Sequence, residues 1–265
     1  MKHNLGIGAT DELSLRVSVA TLVRVVFKHP SHGEWMLALE RKATLRENKV
    51  EVKSQPFGGA VRILDLDAIH NLIGDFHFDS QRSRSEQDFR IFIRPSDWST
   101  VREFCIQHLS HDDDPILETD PTRELVEEFA DALEINLKPE QYIYKSVGTV
   151  VEDEATPTEN IHAEGIPTVR VFRIFEAMIS DSSLIHTIME NNASISHENL
   201  CALALNGKGR ANATLALPLK QLTDHYLTMS LNERNVPILF EENRLDETVP
   251  AILEGIAIPK YQRLN

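Results

Sequence analysis

The sequence predicts an α/β fold, and three kinds of stretch predict it. Residues Leu15 to Phe27 and Trp35 to Arg41 are dense in Val and Leu and read as strands. Asp120 to Leu133 reads as an amphipathic helix, and Thr168 to Ala177 returns to strand with bulky apolar residues at alternate places. The chain has 265 residues, 42% of them hydrophobic, which is enough apolar material for a substantial core. It shows no internal repeat and no Pro/Gly/Ser-rich linker, so residues 1–265 are expected to form one domain.

In chain order, the first two strands are joined by a turn, His29-Pro30-Ser31-His32-Gly33-Glu34. Asn48 to Gln55 is a short alternating segment that delivers the chain to Gly58-Gly59. Two adjacent glycines most simply mean a tight turn. Beyond them, Phe89, Ile91 and Ile93 alternate with Arg90, Phe92 and Arg94 as in a strand. Trp98, Val101, Cys105 and Leu109 then form a helical stripe behind a Ser96/Asp97 cap. The run Ser80-Gln81-Arg82-Ser83-Arg84-Ser85 is polar and basic and reads as an exposed loop. His108, His111 and Asp112 to Asp114 read as a solvated acidic turn, since no second ligand cluster accompanies them.

The helix that follows organises the chemistry. Asp120 can accept hydrogen bonds from the free amides of its first turn, and Pro121 sits where its missing N–H costs nothing. Leu125, Phe129, Ala132 and Leu133 recur at helical spacing and face a core. Glu124, Glu127 and Glu128 fall at i, i+3 and i+4 on another face. Three carboxylates on one patch repel one another unless solvent or a hard divalent cation such as Mg²⁺ neutralises them. The alternative is a solvated charged face with Arg123 paired to Glu127 one turn on.

Downstream, Ser146 to Val151 is a strand and Glu152 to Glu164 an acidic loop. Asn206-Gly207-Lys208-Gly209-Arg210 is a basic, glycine-rich turn without the full spacing of a phosphate loop. Thr214 to Leu222 is a strand running through Pro218 into a helix, and Leu245 to Gly255 a closing helix begun or bent near Pro250.

Composition limits the partners. Lys plus Arg number 27 against 41 for Asp plus Glu, a net charge of -14, which argues against general duplex binding. Cys105 and Cys201 are too few for a disulfide framework. No run approaches a membrane span, and Met1 to Thr10 lacks an apolar signal core. A cytoplasmic location is the default expectation.

Arg123-Glu124-Leu125-Val126-Glu127-Glu128 resembles the Arg-Glu-x-x-Glu-Glu heart of the Nudix box, the loop–helix signature of Nudix hydrolases. Gln55-Pro56-Phe57-Gly58-Gly59 is similar to the Pro-Gly-Gly turn that precedes that box. The surrounding frame departs from the family: Leu109 and Pro115 stand where a Gly and a Glu precede the Arg, with Glu118 the nearest acidic substitute. Ala130 and Asp131 replace the glycine and the apolar residue after the Glu pair. The resemblance implies an α/β/α sandwich with a mixed sheet, and makes residues 61–117 an inserted α+β segment between the glycines and the box. It implies Mg²⁺ or Mn²⁺ held by Glu124, Glu127 and Glu128, with a further loop carboxylate for which Glu152, Glu154, Glu159 and Glu164 are all candidates, Glu164 being carried as a metal ligand. Arg123 would fix a carboxylate by ion pair, Gly58 and Gly59 would bring backbone close to substrate, and Arg82 and Arg84 would clamp a substrate phosphate. The implied reaction is hydrolysis of a nucleoside diphosphate linked to another group. The implied partners are a small nucleotide and, as in many relatives, a second copy of the chain. A nucleotide-binding sensor or scaffold without catalysis is the alternative, and a charged helix in an unrelated fold a third.

Overall fold

The computed structural model describes residues 12–46, 49–158, 163–190, 213–231, 245–253 and 262–264. Its centre is β1 (Leu15–Lys28), a single long strand that nearly every other strand touches directly or through one neighbour. Along it Val23, Val25 and Phe27 face one side and Leu22 and Val26 the other, all buried. A strand covered on both faces reads as one continuous apolar run rather than an alternation.

β1 pairs antiparallel with β2 (Trp35–Arg46) and parallel with β10 (Pro167–Ile179), in register from Arg16↔Thr168 to Val26↔Met178. β3 (Lys49–Gln55) folds back on β2, β4 (Phe57–Ala60) pairs with β1, and β9 (Tyr142–Pro157) forms a long hairpin with β10. The sheet order is β11–β2–β1–β10–β9–β12, with β11 at Ala213–Pro218 and β12 at Gln262–Leu264. One face is covered by α4 (Thr122–Leu133) and α5 (Ser182–Glu190). The other is covered by α6 (Leu219–Leu231) and a 3-10 turn at Val249–Ile252. Helices on both faces of a mixed sheet make the α/β/α sandwich.

Residues 61–117 contribute β5 (Arg62–Ile63), α1 (Leu66–Ile73), β6 (His77–Phe78), α2 (Gln81–Glu86), β7 (Arg90–Ile93), α3 (Trp98–His108) and, at their end, β8 (Leu117–Glu118). β5 and β8 are antiparallel partners, Arg62↔Glu118 and Ile63↔Leu117. The excursion therefore leaves and returns through one narrow neck. Its core, including Ile69, Phe89, Ile91, Val101 and Cys105, is continuous with Val17 and Val19 of β1 and Val169 and Val171 of β10.

Several expectations are corrected. Gly58 and Gly59 are not a tight turn but the middle of β4, because the sheet extends past Pro56 and pairs Leu22↔Gly58 and Thr21↔Gly59. The basic run is not a loop: Ser80 caps α2 by accepting from Ser83 N at 3.0 Å, and Ser83 is buried. Asp97 does not cap α3 with its side chain, which instead accepts from Arg94 Nε at 2.8 Å. Asp114 is no solvated acid: it is buried, paired to His108 Nδ1 at 2.8 Å, and accepts from Ile116 N and Leu117 N. The acidic residues Glu152, Asp153 and Glu154 lie inside β9, since pairing with β10 holds the strand extended as far as Pro157. The closing segment gives one 3-10 turn rather than a helix up to Leu253. Asn206 to Arg210, Cys201 and Gly255 lie outside the described residues. No helix among the described residues is long and apolar enough to cross a membrane.

Candidate functional site

The neck formed by β5 and β8 explains how the two halves of the motif meet. Chain leaving β4 travels through the whole excursion, re-enters at Leu117–Glu118 and runs directly into α4. Thr122 N donates to Asp120 Oδ1 at 2.8 Å, as the start signal predicts, and helical geometry begins at Thr122 after Pro121. Leu125 and Phe129 are buried, and Phe129 stacks on Phe57 of β4 with ring centroids 4.8 Å apart. This contact seats α4 directly over the glycines.

What the glycines supply is close approach. A Cβ on Gly59 would stand 2.3 Å from Glu124 Oε2, so only glycine leaves that carboxylate its place. A Cβ on Gly58 would stand 2.1 Å from the Thr21 carbonyl oxygen, and Gly58 has φ +127°, where L side chains are strained. Its N–H donates to Glu128 Oε2. The two glycines thus receive two box carboxylates, one by space and one by a backbone donor.

The three carboxylates do not share one patch. The Glu127 side chain is 57% exposed and the Glu128 side chain 9%. Arg123 stands at the centre of the exposed group, contacting Glu124 at 2.6 Å, Glu118 at 2.9 Å and Glu127 at 3.1 Å. Hydrogen bonding to Glu118, against some desolvation, raises its already high pKa. Glu118, displaced along the chain from the family's position, still reaches the box.

Glu128 faces a different group, absent from the sequence reading: Glu40 and Lys42 of β2 and Gln55 of β3. Lys42 Nζ lies 3.5 Å from Glu128 Oε1 and 3.6 Å from Glu40 Oε2, and Gln55 Nε2 donates to Glu40 at 3.1 Å. Burial first, and then the nearby Glu40 charge, push the Glu128 carboxyl up to about 8 despite Lys42 and the Gly58 amide. Burial likewise raises Glu40. The available signal was Glu40-Arg41 at the end of a strand, but alternation puts Glu40 on the box face and Arg41 on the opposite one. There Arg41 is buried, and among the described residues its Nε and Nη2 have no hydrogen-bond partner.

Two further expected residues are placed apart from each other. Arg82 pairs with Glu86 at 2.9 Å, within electrostatic reach of Glu124. Arg84, on the other side of α2, opens into a cleft lined by residues between Leu66 and Ser85. Glu164 is not brought to the box. It lies in the β9–β10 turn before Thr168, which shares a rung with Arg16, whereas Gly59 shares its rung with Thr21. Five strand residues alone span about 17 Å. Glu152 is buried against Arg170 at 2.8 Å, and Glu159 lies outside the described residues.

Among the described residues no three of His, Cys, Asp or Glu form a ready-made metal group. The donors nonetheless fit a hard divalent cation in kind. All are carboxylate oxygens, and the proton that burial holds on Glu128 up to about 8 is one that a bound cation would displace.

A glycine-bearing strand that receives two glutamates of an Arg-Glu-x-x-Glu-Glu helix, on an α/β/α sandwich, defines a Nudix-type site. The family model described as "SMODS-associated NUDIX domain" matches residues 14–204, and the chain belongs to that family. No curated protein and no solved structure matches it.

Proposed function

We propose that the protein is a divalent-metal-dependent hydrolase that cleaves the diphosphate of a nucleoside diphosphate linked to another moiety, such as a nucleotide sugar, ADP-ribose or a (d)NTP. The observation that carries this reading is the seating of Glu124 on Gly59 and of Glu128 on the Gly58 amide. Glu124, Glu127 and Glu128 would hold Mg²⁺ or Mn²⁺. Such ions, when bound, acidify a water and neutralise the diphosphate for in-line attack. Arg123 orients Glu124 and Glu127 by ion pairs, so its own role is positioning. Lys42 tempers the charge on Glu128, and the Gly58 amide fixes its orientation. Arg82, beside the acidic group on the exposed side, is the candidate to receive a substrate phosphate.

The test is release of phosphate or nucleotide, with Mg²⁺ and then Mn²⁺, from a panel of ADP-ribose, nucleotide sugars, dinucleoside polyphosphates and (d)NTPs. The Glu127→Gln variant is run in parallel. Metal-dependent release from one class, lost in the variant, supports the hydrolase and names its substrate. Equal turnover by the variant would remove Glu127 from the site.

A second reading is a nucleotide-binding sensor on the same fold. It is favoured by Leu109 and Pro115 in the frame positions and by the pairing of Arg123 with three carboxylates. Silence across the panel, with thermal stabilisation by one member, selects it.

A further inference from the structure

Residues 61–117 build a cleft of their own. It lies between α1, β6 and α2, has a volume of about 1100 Å³, and is lined by Leu66, His70, Phe76, His77, Phe78, Ser80, Gln81, Arg84 and Ser85. Two features of this lining bear on what it could hold. The first is charge: in a protein of net charge -14, the cleft has an arginine and two histidines and no carboxylate. Of the acids next to lining residues in sequence, Asp79 is buried in a pair with Arg16 at 2.7 Å and Glu86 is paired with Arg82 at 2.9 Å. Such a wall favours anions, because no lining carboxylate repels them.

The second feature is a set of aromatic rings. His70 and Phe76 lie with centroids 4.6 Å apart, and Phe76 and Phe78 meet edge to face at 5.6 Å. Phe76 is buried and anchors the set, leaving the half-buried Phe78 and the exposed His70 and His77 toward the opening. His70 Nδ1 donates to the Gly74 carbonyl at 3.1 Å, which leaves Nε2 of the neutral ring as an acceptor. Among the described residues Arg84, Gln81 and His77 make no side-chain hydrogen bond or ion pair, so their donors are uncommitted. Arg82 and Ser85 on the same helix are committed, to Glu86 and to the Arg82 carbonyl.

We propose that this cleft is a ligand site for a planar aromatic molecule carrying a phosphate, a nucleoside monophosphate being its simplest form. The base stacks on Phe78 and the histidine rings, His70 Nε2 accepts from a ring amine, and Arg84 with Gln81 takes the phosphate. Phosphate suits this wall better than carboxylate because it offers more acceptor oxygens to spread over the arginine fork and a neighbouring amide. The site is built by the excursion, not by the box, and the inference stands whether or not the box is catalytic.

The experiment is calorimetric titration of the full chain with AMP, adenosine and inorganic phosphate, in EDTA so that metal-dependent binding at the box is silent. It is repeated on Arg84→Gln, Phe78→Ala and Glu127→Gln, each checked for native circular dichroism. The expected result is AMP binding that exceeds adenosine and phosphate in the parent, falls about tenfold or more in Arg84→Gln and in Phe78→Ala, and persists in Glu127→Gln. In Arg84→Gln, AMP and adenosine should bind alike. No AMP binding at millimolar concentration, or binding that Arg84→Gln leaves unchanged, overturns the proposal. Loss of AMP binding in Glu127→Gln alone would assign the nucleotide to the box instead.

Discussion

The box and the inserted cleft sit on neighbouring parts of one molecule and handle charge in opposite ways. At the box, carboxylates outnumber cations. Glu118, Glu124 and Glu127 share Arg123, while Glu40 and Glu128 share Lys42. In the cleft, one arginine and two histidines face no acid. Helix α2 divides the two, with Arg82 toward Glu124 and Arg84 toward the cleft. An acidic chain has therefore kept an acid-rich group and an acid-free cleft apart, with α2 between them. The net charge of the whole predicts neither.

The largest effect expected is on the support of the box. Gly58→Ala drives a Cβ into the Thr21 carbonyl at a positive φ, and neither backbone can move without breaking β1–β4 pairing. Loss of several kcal/mol is expected, with a protein that melts early or fails to fold. A normal melting temperature would mean that β4 is not where it is described.

Gly59→Ala is the sharper comparison. Its Cβ meets only the end of the Glu124 side chain, which can swing away. Metal-dependent turnover should fall by about a hundredfold or more while stability changes by at most about 1 kcal/mol. If AMP binding in EDTA survives the same change, the two sites are separable.

The pH response should distinguish the sites further. Glu128 has its carboxyl raised to about 8 in the folded protein from an ordinary 4.5. A raised carboxyl binds its proton more tightly folded than unfolded. Its stabilising contribution is therefore complete below about pH 4.5 and is lost as pH climbs toward 8. Melting in metal-free buffer should drop across pH 5 to 8, by a few kcal/mol at most, and Glu128→Gln should flatten that slope while keeping an acceptor for the Gly58 amide. A slope unchanged in the variant would place the proton elsewhere.

The smallest effect belongs to Arg82→Gln. Its pair with Glu86 is an exposed i,i+4 contact, worth about 0.5 kcal/mol or less. Stability should barely move, whereas a several-fold rise in KM at constant kcat would mark Arg82 as a phosphate contact. An unchanged KM would remove it from the substrate side.

Much of this was legible in the chain because local rules carry it. Periodicity and start signals locate β1, β2, β10, the β11-to-α6 run and α4, and the Arg-Glu-x-x-Glu-Glu spacing marks the box before any contact is known. Close neighbours claimed Asp97 and Asp114, through Arg94 and His108, but the larger misreadings come from partners distant in sequence. Gly58-Gly59 looked like a turn because pairing with Thr21 and Leu22 is not local. The basic run from Ser80 looked like a loop because its cap and its buried Ser83 matter only once β6 and β7 are beside it. Glu40 passed unremarked because its neighbour Glu128 is 88 residues away. Glu164 was a candidate by the family resemblance of its loop and lies about five strand residues or more from the box.

By itself, then, the sequence determined the long strands β1, β2 and β10, that the box helix would bury Leu125 and Phe129, and which residue types would gather there. Those follow from side-chain periodicity and backbone preference, which act over a few residues. Only the tertiary structure decided that the excursion closes through a two-rung neck, that Glu128 is buried against Glu40 while Glu127 stays in solvent, and that Arg82 and Arg84 lie on different sides of α2. Those outcomes depend on which distant surfaces exclude water together, and burial sets the energy of a charge far more strongly than its neighbours in the chain.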